Sequence, residues 1–326
     1  MPVPKGKKGA FNLFRAARGQ KAEKTLLIMT GTACDNDCVF CSARAIPEAE
    51  RTTAEIAAAL ALNRKAYKHV EFVGGEFTLR PDAPLLLRLC RKLGYTSAGI
   101  ESNGKTFARP GFAGKLAASG LDWVTFSIHG ARPGTHDALT RAPGAHRLAM
   151  RGLAAACRAA EKRPLSISVN YVVTRRNFRE MPAMAAAVAR LGRVASLCFS
   201  FVRPVETISD SAFKRLVPRF SDARPFLEKA MAFPFVTARS FPPCLADGGR
   251  IEDHREKLGV IKNYGALEDG NSCYGAVSGL LCKPGPCAAC ALSGSCLGIW
   301  KRYAQHYGTG ELRPVRAARR PAGNIL

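Results

Sequence analysis

Apolar and polar positions follow two rhythms along the first two thirds of the chain. Short runs rich in Val, Ile, Leu and Phe alternate with longer Ala- and Leu-rich stretches that have helical spacing. The short runs predict six strands, at residues 24–30, 70–73, 97–101, 123–128, 165–173 and 196–202. The longer stretches predict five helices, at residues 53–67, 83–93, 111–119, 146–161 and 179–191.

The regular alternation of strands and helices predicts an α/β fold with parallel strands and helical crossovers. Six such units favour a partial (β/α)6 TIM-like barrel over residues 24–203, with an open sheet as the alternative. In barrels of this kind the chemistry gathers at the carboxyl ends of the strands. We therefore expect functional side chains directly after the predicted strands.

The pattern changes after residue 203. Residues 204–235 predict a helical linker interrupted by prolines, and residues 236–310 are rich in Gly, Cys and Pro with little periodicity. A segment of this kind buries little apolar surface by itself, so a metal or the barrel has to order it. We predict a cysteine-rich C-terminal domain at 236–310, between the linker and a basic tail at 311–326; a basic flexible tail also precedes the barrel at 1–23.

The charge is strongly positive, with 49 Lys and Arg against 25 Asp and Glu and a formal net charge of +24. An acidic partner has to be considered for such a chain. Much of the excess lies at the two ends, where aromatic residues do not interleave with the charges as a base-stacking platform requires. Solvated tails are therefore favoured over a nucleic-acid interface, and nucleic acid stays the less favoured partner.

The cysteines suggest metal chemistry. No apolar run reaches the roughly 18 residues of a membrane span, and residues 1–24 lack the apolar centre of a signal peptide, so we expect a cytoplasmic protein. In a reducing compartment, clustered cysteines are more often metal ligands than disulfides. Cys90, Cys157 and Cys198 stand alone in apolar surroundings and are predicted to be small buried hydrophobic residues.

Cys34, Cys38 and Cys41 follow the first predicted strand with Cys-x3-Cys-x2-Cys spacing. Three thiolates on one loop suit three irons of a cubane cluster, whereas a 4Fe-4S cluster normally takes four cysteines. The next cysteine is Cys90, so the fourth iron would be open to a ligand from outside the protein. The alternative is a zinc knuckle, but zinc prefers four N or S ligands and this loop offers three without a nearby His.

This loop resembles the signature of the radical S-adenosylmethionine (SAM) superfamily in its spacing and in Phe40, the aromatic residue before the last cysteine. The resemblance covers residues 24–203. It implies that the three cysteines hold a catalytic 4Fe-4S cluster whose open iron binds SAM, with Phe40 beside the cofactor. It further implies that reduction of the cluster cleaves SAM to a 5′-deoxyadenosyl radical, which abstracts hydrogen from a substrate.

Gly74, Gly75 and Glu76 end the second predicted strand and resemble the family's Gly-Gly-Glu element, which binds the amino group of SAM. Two glycines let the backbone approach a ligand closely, and a carboxylate complements an ammonium group. The family usually has Pro where this chain has Phe77.

Polar residues at later strands are further candidates for SAM contacts. They are Ser102, Asn103, Ser127 and Asn170. Each is also consistent with a polar group that satisfies its own turn. His129 either faces the substrate or is a structural histidine, and no residue stands out as a general acid or base.

Cys287, Cys290 and Cys296, with Cys-x2-Cys-x5-Cys spacing, resemble part of a SPASM or twitch extension, which holds auxiliary iron–sulfur clusters. The full SPASM pattern has a further cysteine where this chain has Trp300. We therefore expect one auxiliary 4Fe-4S cluster.

The fourth ligand of that cluster is expected to be Cys244, with Cys282 as its main rival and Cys273 behind it. A structural zinc site with the same ligands is the alternative, because four thiolates also suit zinc.

The resemblance implies a radical SAM enzyme, with a flavodoxin- or ferredoxin-like electron donor as its partner. Residues 129–177 resemble members that have cysteine-rich extensions, many of which act on ribosomally made peptides and others on haem-type or small-molecule substrates. A ribosomal peptide or natural-product precursor is thus the expected substrate. The alternatives are an RNA-modifying radical SAM enzyme, suggested by the positive charge, and a non-enzymatic zinc or iron–sulfur protein.

Overall fold

A parallel sheet forms the centre of the computed structural model, which describes residues 25–41, 43, 50–203, 209–245, 251–252, 279–294 and 296–316. Within these residues the sheet has eight strands in sequence order, each paired in parallel with the next. They are β1 (Thr25–Met29), β2 (His69–Val73), β3 (Ser97–Ser102), β4 (Trp123–Ser127), β5 (Ser166–Val173), β6 (Ser196–Phe201), β7 (Val236–Arg239) and β8 (Ile251–Glu252).

Helices connect the strands and cover the outside of the sheet. They are α1 (Thr53–Asn63), α2 (Ala83–Lys92), α3 (Phe112–Ala118), α4 (Pro133–Thr140), α5 (Ala145–Lys162), α6 (Met181–Ala189), α7 (Asp210–Leu216), α8 (Phe220–Ala230) and, near the C-terminus, α9 (Lys301–Tyr307). A separate antiparallel pair joins β9 (Leu281–Cys282) to β10 (Ile299–Trp300). The predicted α/β partial barrel is confirmed, and all six predicted strands and five predicted helices are present.

The sheet continues beyond the six predicted strands. β7 pairs with β6, and β8 pairs with β7. Strand β7 begins at Val236, the residue at which we predicted the C-terminal domain to start, and that domain boundary remains a prediction. The segment predicted as a helical linker contains α7 and α8, and its residues 204–208 lie outside the described part of the chain.

The two faces of the sheet differ in polarity because side chains alternate along each strand. The outer face, toward the helices, carries the apolar core; β5 contributes Ile167, Val169 and Tyr171 to it. The inner face is largely polar. Among its residues are His69, Glu71, Ser97, Thr125, Ser127, Ser168, Asn170, Ser196, Ser200 and Thr237.

The three isolated cysteines are buried, as predicted. Cys90, Cys157 and Cys198 are 0%, 6% and 2% exposed. The inner face of β6 carries Cys198, so that this thiol, unlike Cys90 and Cys157, lies outside the main apolar cluster.

The C-terminal helix α9 packs against α7 and the start of α8. The Tyr303 hydroxyl accepts a hydrogen bond from the Phe220 N–H (2.8 Å) and donates one to Glu311 (3.0 Å). The ring of His306 stacks on Phe213, with the centroids 4.2 Å apart. The predicted basic tail thus begins with a carboxylate, that of Glu311, which is bound to Tyr303 of α9. Residues 1–24 and 317–326 lie outside the described residues.

No described helix has both the length and the apolar character that crossing a membrane requires.

Candidate metal centre and cofactor site

The loop that carries Cys34, Cys38 and Cys41 lies at the carboxyl end of β1 and rests on the end of α4. The N–H of Asp37 donates to the carbonyl of Thr140 (2.8 Å), and the N–H of Val39 donates to the carbonyl of Leu139 (2.9 Å). These are the last two residues of α4, whose carbonyls have no partner within the helix. The backbone therefore fixes the loop to the barrel independently of the thiols.

The two glycines after β2 bring that strand end against the cysteine loop. The N–H of Gly75 donates to the carbonyl of Gly31, and the N–H of Glu76 donates to that of Ala33, both at 2.7 Å. A Cβ at Gly75 would lie 2.1 Å from the Ala33 oxygen, and one at Gly74 would lie 2.4 Å from the Gly31 oxygen. The two glycines thus allow the cysteine loop, through Gly31 and Ala33, to approach the strand end closely. Their role in binding SAM stays a prediction.

The carboxylate of Glu76 is buried and gathers hydrogen-bond donors around it. It accepts from the hydroxyls of Ser102 (2.9 Å) and Thr78 (2.6 Å) and from the N–H of Asn103 (2.6 Å). Burial raises the pKa of Glu76, although these hydrogen bonds act in the opposite direction. A ligand ammonium group would lower that pKa, so this carboxylate fits the predicted contact with the amino group of SAM.

The side chain of Asn103 turns toward the cysteine loop. Its Nδ2 donates to Oδ1 of Asp35 (2.6 Å) and lies 4.0 Å from Sγ of Cys34, and its Oδ1 accepts from the N–H of Lys105 (3.0 Å). Lys105 also contacts Asp35: its Nζ lies 2.6 Å from the carbonyl oxygen of Asp35 and 3.0 Å from Oδ2. Neither Asp35 nor Lys105 could be identified from the sequence, because their contact spans 70 positions and exists only once the sheet has formed.

The thiols of Cys34 and Cys38 resist ionisation by themselves. Burial, together with negative charge on Cys41 and Cys34, raises the pKa of Cys38 to about 12, while the Lys105 ammonium acts in the opposite direction. Burial also raises the pKa of Cys34, and the carboxylates of Glu76 and Asp35 add to this. Iron would compensate the negative charge of three thiolates, which is the chemistry that this set of donors fits.

The described residues contain no group of three or more His, Cys, Asp or Glu side chains placed to hold a single metal ion. A one-ion zinc site at the cysteine loop would therefore require the side chains to rearrange.

The aromatic residue of the loop contacts a buried histidine. The ring of Phe40 meets that of His129 edge to face, with the centroids 4.8 Å apart. Nδ1 of His129 accepts from the N–H of Val172 (3.1 Å), and Nδ1 of His136 accepts from the N–H of His129 (3.0 Å). Burial lowers the pKa of His136 to about 4 and that of His129 well below its usual value. Both rings are thus neutral, and an accepting Nδ1 leaves the proton on Nε2.

Glu180 holds the chain that follows β4. Its carboxylate accepts from the N–H of Ala131 (2.8 Å), from Nε of Arg132 (2.8 Å) and from the hydroxyl of Thr135 (2.6 Å). These residues lead into and begin α4, on which the cysteine loop rests. Glu180 could not be identified from the sequence, since nothing in the pattern connects it with residues more than 40 positions away.

Glu50 supports the other side of the loop. Its Oε1 accepts from the N–H groups of Thr32 and Ala33, both at 2.7 Å. A cleft of about 450 Å³ lies beside it, lined among others by Gly75, Glu76 and Arg80. Of the candidate SAM contacts, Gly75 and Glu76 border this cleft.

Ser127 and Asn170 are cross-strand neighbours on the inner face of β4 and β5. The amide oxygen of Asn170 accepts from the hydroxyl of Ser200 (2.7 Å). The structure therefore places this pair on the inner wall, whereas Ser102 and Asn103 bond to Glu76. Their contacts with SAM remain predictions.

The four favoured auxiliary cysteines come together at the C-terminal segment. Cys244, Cys287, Cys290 and Cys296 line one small cavity. Burial raises the pKa of Cys244, and negative charge on Cys296 and Cys290 raises it further. Four thiols suit an iron–sulfur cluster or zinc in their chemistry, but these described side chains, like those of the cysteine loop, are not placed to hold a single metal ion. The structure brings the four predicted cysteines together at one cavity.

The rival ligands differ in position. Cys282 lies in β9, opposite Ile299 of β10, and is not among the residues that line the cavity. Cys273 lies outside the described residues. Trp300, at the position of the missing cysteine, is buried in β10 with 5% of its surface exposed.

Comparison with known sequences identifies a family. Residues 28–200, more than half of the 326 residues, match the radical SAM superfamily. The chain is 29% identical over 173 residues to an AdoMet-dependent heme synthase from Methanosarcina barkeri, and the match covers 52% of this chain and 48% of that protein. It is 33% identical over 114 residues to a probable GTP 3′,8-cyclase from Metallosphaera sedula, and the match covers 35% of this chain and 34% of that protein. The chain thus spans half or less of the length of these relatives.

Solved structures share the fold. Streptococcus suis SuiB bound to SAM superposes with a TM-score of 0.59 at 13% identity, over 91% of this chain and 76% of SuiB. SuiB bound to its precursor peptide SuiA superposes with a TM-score of 0.50 at 16% identity, over 63% of this chain and 44% of SuiB. The protein anSMEcpe with bound AdoMet and a peptide superposes with a TM-score of 0.50 at 17% identity, over 64% of this chain and 59% of anSMEcpe.

Proposed function

Because this chain belongs to the radical SAM superfamily, we propose that it is an enzyme that cleaves SAM reductively and abstracts hydrogen from a peptide. Enzymes of this superfamily use a 4Fe-4S cluster and SAM. The observation that carries the proposal is the arrangement of the cysteine loop against Glu76, in which a buried carboxylate lies at the same strand ends as the thiols.

The residues of this chain have distinct tasks in the proposal. When bound, the cluster supplies the electron that cleaves SAM to a 5′-deoxyadenosyl radical. Cys34, Cys38 and Cys41 hold the cluster, and Glu76 receives the ammonium group of SAM. The end of α4 keeps the loop in place, and the barrel wall excludes water from the reaction.

The inner wall supports the proposed substrate class. Hydroxyl, amide and carboxyl groups cover that face of the sheet, and they match the hydrogen-bonding groups of a peptide backbone. Two structures of the same fold, SuiB and anSMEcpe, have peptides bound. These two observations support a ribosomal peptide or natural-product precursor as the substrate.

The C-terminal cysteines are proposed to hold one auxiliary 4Fe-4S cluster through Cys244, Cys287, Cys290 and Cys296. Their common cavity supports this set over one that includes Cys282. With four protein ligands the auxiliary cluster has no open iron, so electron relay or structural support suits it better than direct binding of the substrate. A flavodoxin- or ferredoxin-like protein is the proposed electron donor.

Anaerobic reconstitution tests the proposal. The full chain is loaded with iron and sulfide, reduced with dithionite and given SAM, and 5′-deoxyadenosine is measured by chromatography. We expect 5′-deoxyadenosine from the wild type and none from Cys38→Ala, with Cys90→Ala as the matched control that keeps activity. Loaded wild-type protein that produces no 5′-deoxyadenosine, or full activity in Cys38→Ala, contradicts the proposal.

A further inference from the structure

A partly buried ion pair lies directly beside the first cysteine of the loop. Nζ of Lys105 is 3.0 Å from Oδ2 of Asp35 and 2.6 Å from its carbonyl oxygen. The Lys105 side chain is 11% exposed and that of Asp35 is 38% exposed. Asp35 adjoins Cys34, and its Oδ1 also accepts from Nδ2 of Asn103 (2.6 Å). The charge of Lys105 is therefore held at a fixed place next to the cysteine loop.

We propose that Lys105 is a positioning residue that sets the reduction potential of the cluster by neutralising the carboxylate of Asp35. The inference rests on the proposed function, because it concerns the cluster that Cys34, Cys38 and Cys41 would hold. It adds a role for two residues that do not bind iron.

The direction of the effect follows from charge. Reduction adds an electron to a cluster that already carries three thiolates, so a nearby negative charge opposes reduction and a nearby positive charge favours it. Both charges lie close to the thiols: Asp35 directly follows Cys34, and Nδ2 of Asn103, which donates to Asp35, lies 4.0 Å from Sγ of Cys34. Without Lys105, the Asp35 carboxylate would face the cluster uncompensated.

A second ion pair on the same loop provides a matched control. Nη1 of Arg141 is 3.2 Å from Oδ2 of Asp37, and both side chains are 55% exposed. Water and salt screen such a pair far more than one that is largely buried. Loss of Arg141 removes a cation from the loop as loss of Lys105 does, but from an exposed position.

The test is a redox titration of the reconstituted full chain without SAM, followed by the electron paramagnetic resonance signal of the reduced cluster at Cys34, Cys38 and Cys41. That signal is identified as the one that is absent from Cys38→Ala, in which the auxiliary cluster alone remains. In Lys105→Met the equilibrium constant for reduction should fall about tenfold, which for one electron is a shift of about 59 mV to more negative potential. Asp35→Asn should shift the potential in the positive direction. The double variant should return close to the wild type, and Lys105→Arg should keep the wild-type potential.

Each outcome has one meaning. An unchanged potential in Lys105→Met, or an equal shift in Arg141→Met, overturns the inference. If Lys105 serves the SAM carboxylate instead, Lys105→Met weakens SAM binding at an unchanged SAM-free potential, which also overturns it. If Lys105→Met fails to load iron, the opposite shift in Asp35→Asn decides the matter. Wild-type protein that loads iron but shows no 4Fe-4S signal contradicts the proposed function itself.

Discussion

At the scale of single residues, Glu180 shows how a distant carboxylate supports the cysteine loop. It bonds to the chain around Ala131 and Thr135, that chain begins α4, and the end of α4 holds the N–H groups of Asp37 and Val39. Its side chain is 6% exposed. A change at Glu180 should therefore be felt at the metal centre without touching it.

Glu180→Gln should lower the free energy of unfolding by about 2 kcal/mol at pH 7, because an amide cannot accept from all of these donors. Burial by itself raises the pKa of Glu180, but hydrogen bonds from Thr135 and Arg132 outweigh it and hold the pKa below its usual value. A lowered folded-state pKa stabilises the protein above the unfolded value and loses that effect as the pH falls through the folded value. The difference in the free energy of unfolding between Glu180→Gln and the wild type should thus narrow below about pH 4.5.

Urea unfolding followed by circular dichroism from pH 7 to pH 3.5 measures this difference. Glu228→Gln is the control, since Glu228 is 43% exposed and pairs only one turn away with Arg224. That variant should stay within about 0.5 kcal/mol of the wild type. A penalty for Glu180→Gln that does not change with pH would show that its charge is not what stabilises the loop.

At the scale of elements, the contact between the end of β2 and the cysteine loop depends on Gly75. Gly75→Ala places a Cβ 2.1 Å from the backbone oxygen of Ala33, so the two segments have to separate. We expect this variant to incorporate less iron at the cysteine loop and to bind SAM at least tenfold more weakly, because Glu76 moves with the strand end. Iron analysis and equilibrium dialysis with SAM measure the two effects.

Gly114→Ala is the matched control. Gly114 lies in α3, and a Cβ there meets no atom within 4 Å. Alanine favours helix over glycine by up to about 1 kcal/mol, so this variant should be at least as stable as the wild type and load iron normally. Equal iron loading by Gly75→Ala and Gly114→Ala would mean that the close approach is dispensable.

The elements that could be predicted from sequence are those in which one face is apolar. β5 is such a strand, because Ile167, Val169 and Tyr171 alternate with polar residues. Helix α4 was missed because it begins Pro-Gly-Thr-His and has few apolar positions, and β7 was missed because it has only four residues.

The candidate site divides in the same way. The cysteine loop and Glu76 belong to short continuous motifs, so their spacing was visible in the sequence. The Lys105–Asp35 pair and the bonds of Glu180 were not visible, because residues 45 to 70 positions apart meet only after the sheet has formed. Likewise, Cys244 was a candidate among several until the structure placed it in one cavity with Cys287, Cys290 and Cys296.

At the scale of the whole molecule, Tyr303 connects the C-terminal segment to the barrel. Tyr303→Phe leaves the buried N–H of Phe220 without its acceptor, and we expect the free energy of unfolding to fall by about 1–3 kcal/mol. The barrel and the segment should still unfold together, since the segment buries little core of its own.

Two tryptophans report on this cooperativity. Trp123 lies in β4 of the barrel and Trp300 lies in β10 of the segment. In Trp123→Phe and in Trp300→Phe, each with and without Tyr303→Phe, the fluorescence of the remaining tryptophan should give the same urea midpoint as the circular dichroism of that same variant. Transitions that separate would show two independent units.

The auxiliary cysteines give a prediction at the same scale. Cys287→Ala should lose about half of the iron of the reconstituted chain, because one of two 4Fe-4S clusters loses a ligand. Cys282→Ala should retain its iron, since Cys282 does not line the cavity. Iron and acid-labile sulfide are measured for both variants. Loss of iron in Cys282→Ala alone would exchange the roles of the two residues.

The separation of the two faces of the sheet has an evolutionary consequence. Residues of the inner wall, such as Thr125 and Ser168, lie on the opposite side of the strands from Val124, Ile167 and the rest of the apolar core. Mutations on the inner wall can therefore accumulate without opening cavities in the core, and a descendant of this chain can acquire a new substrate while it keeps the stability of its ancestor.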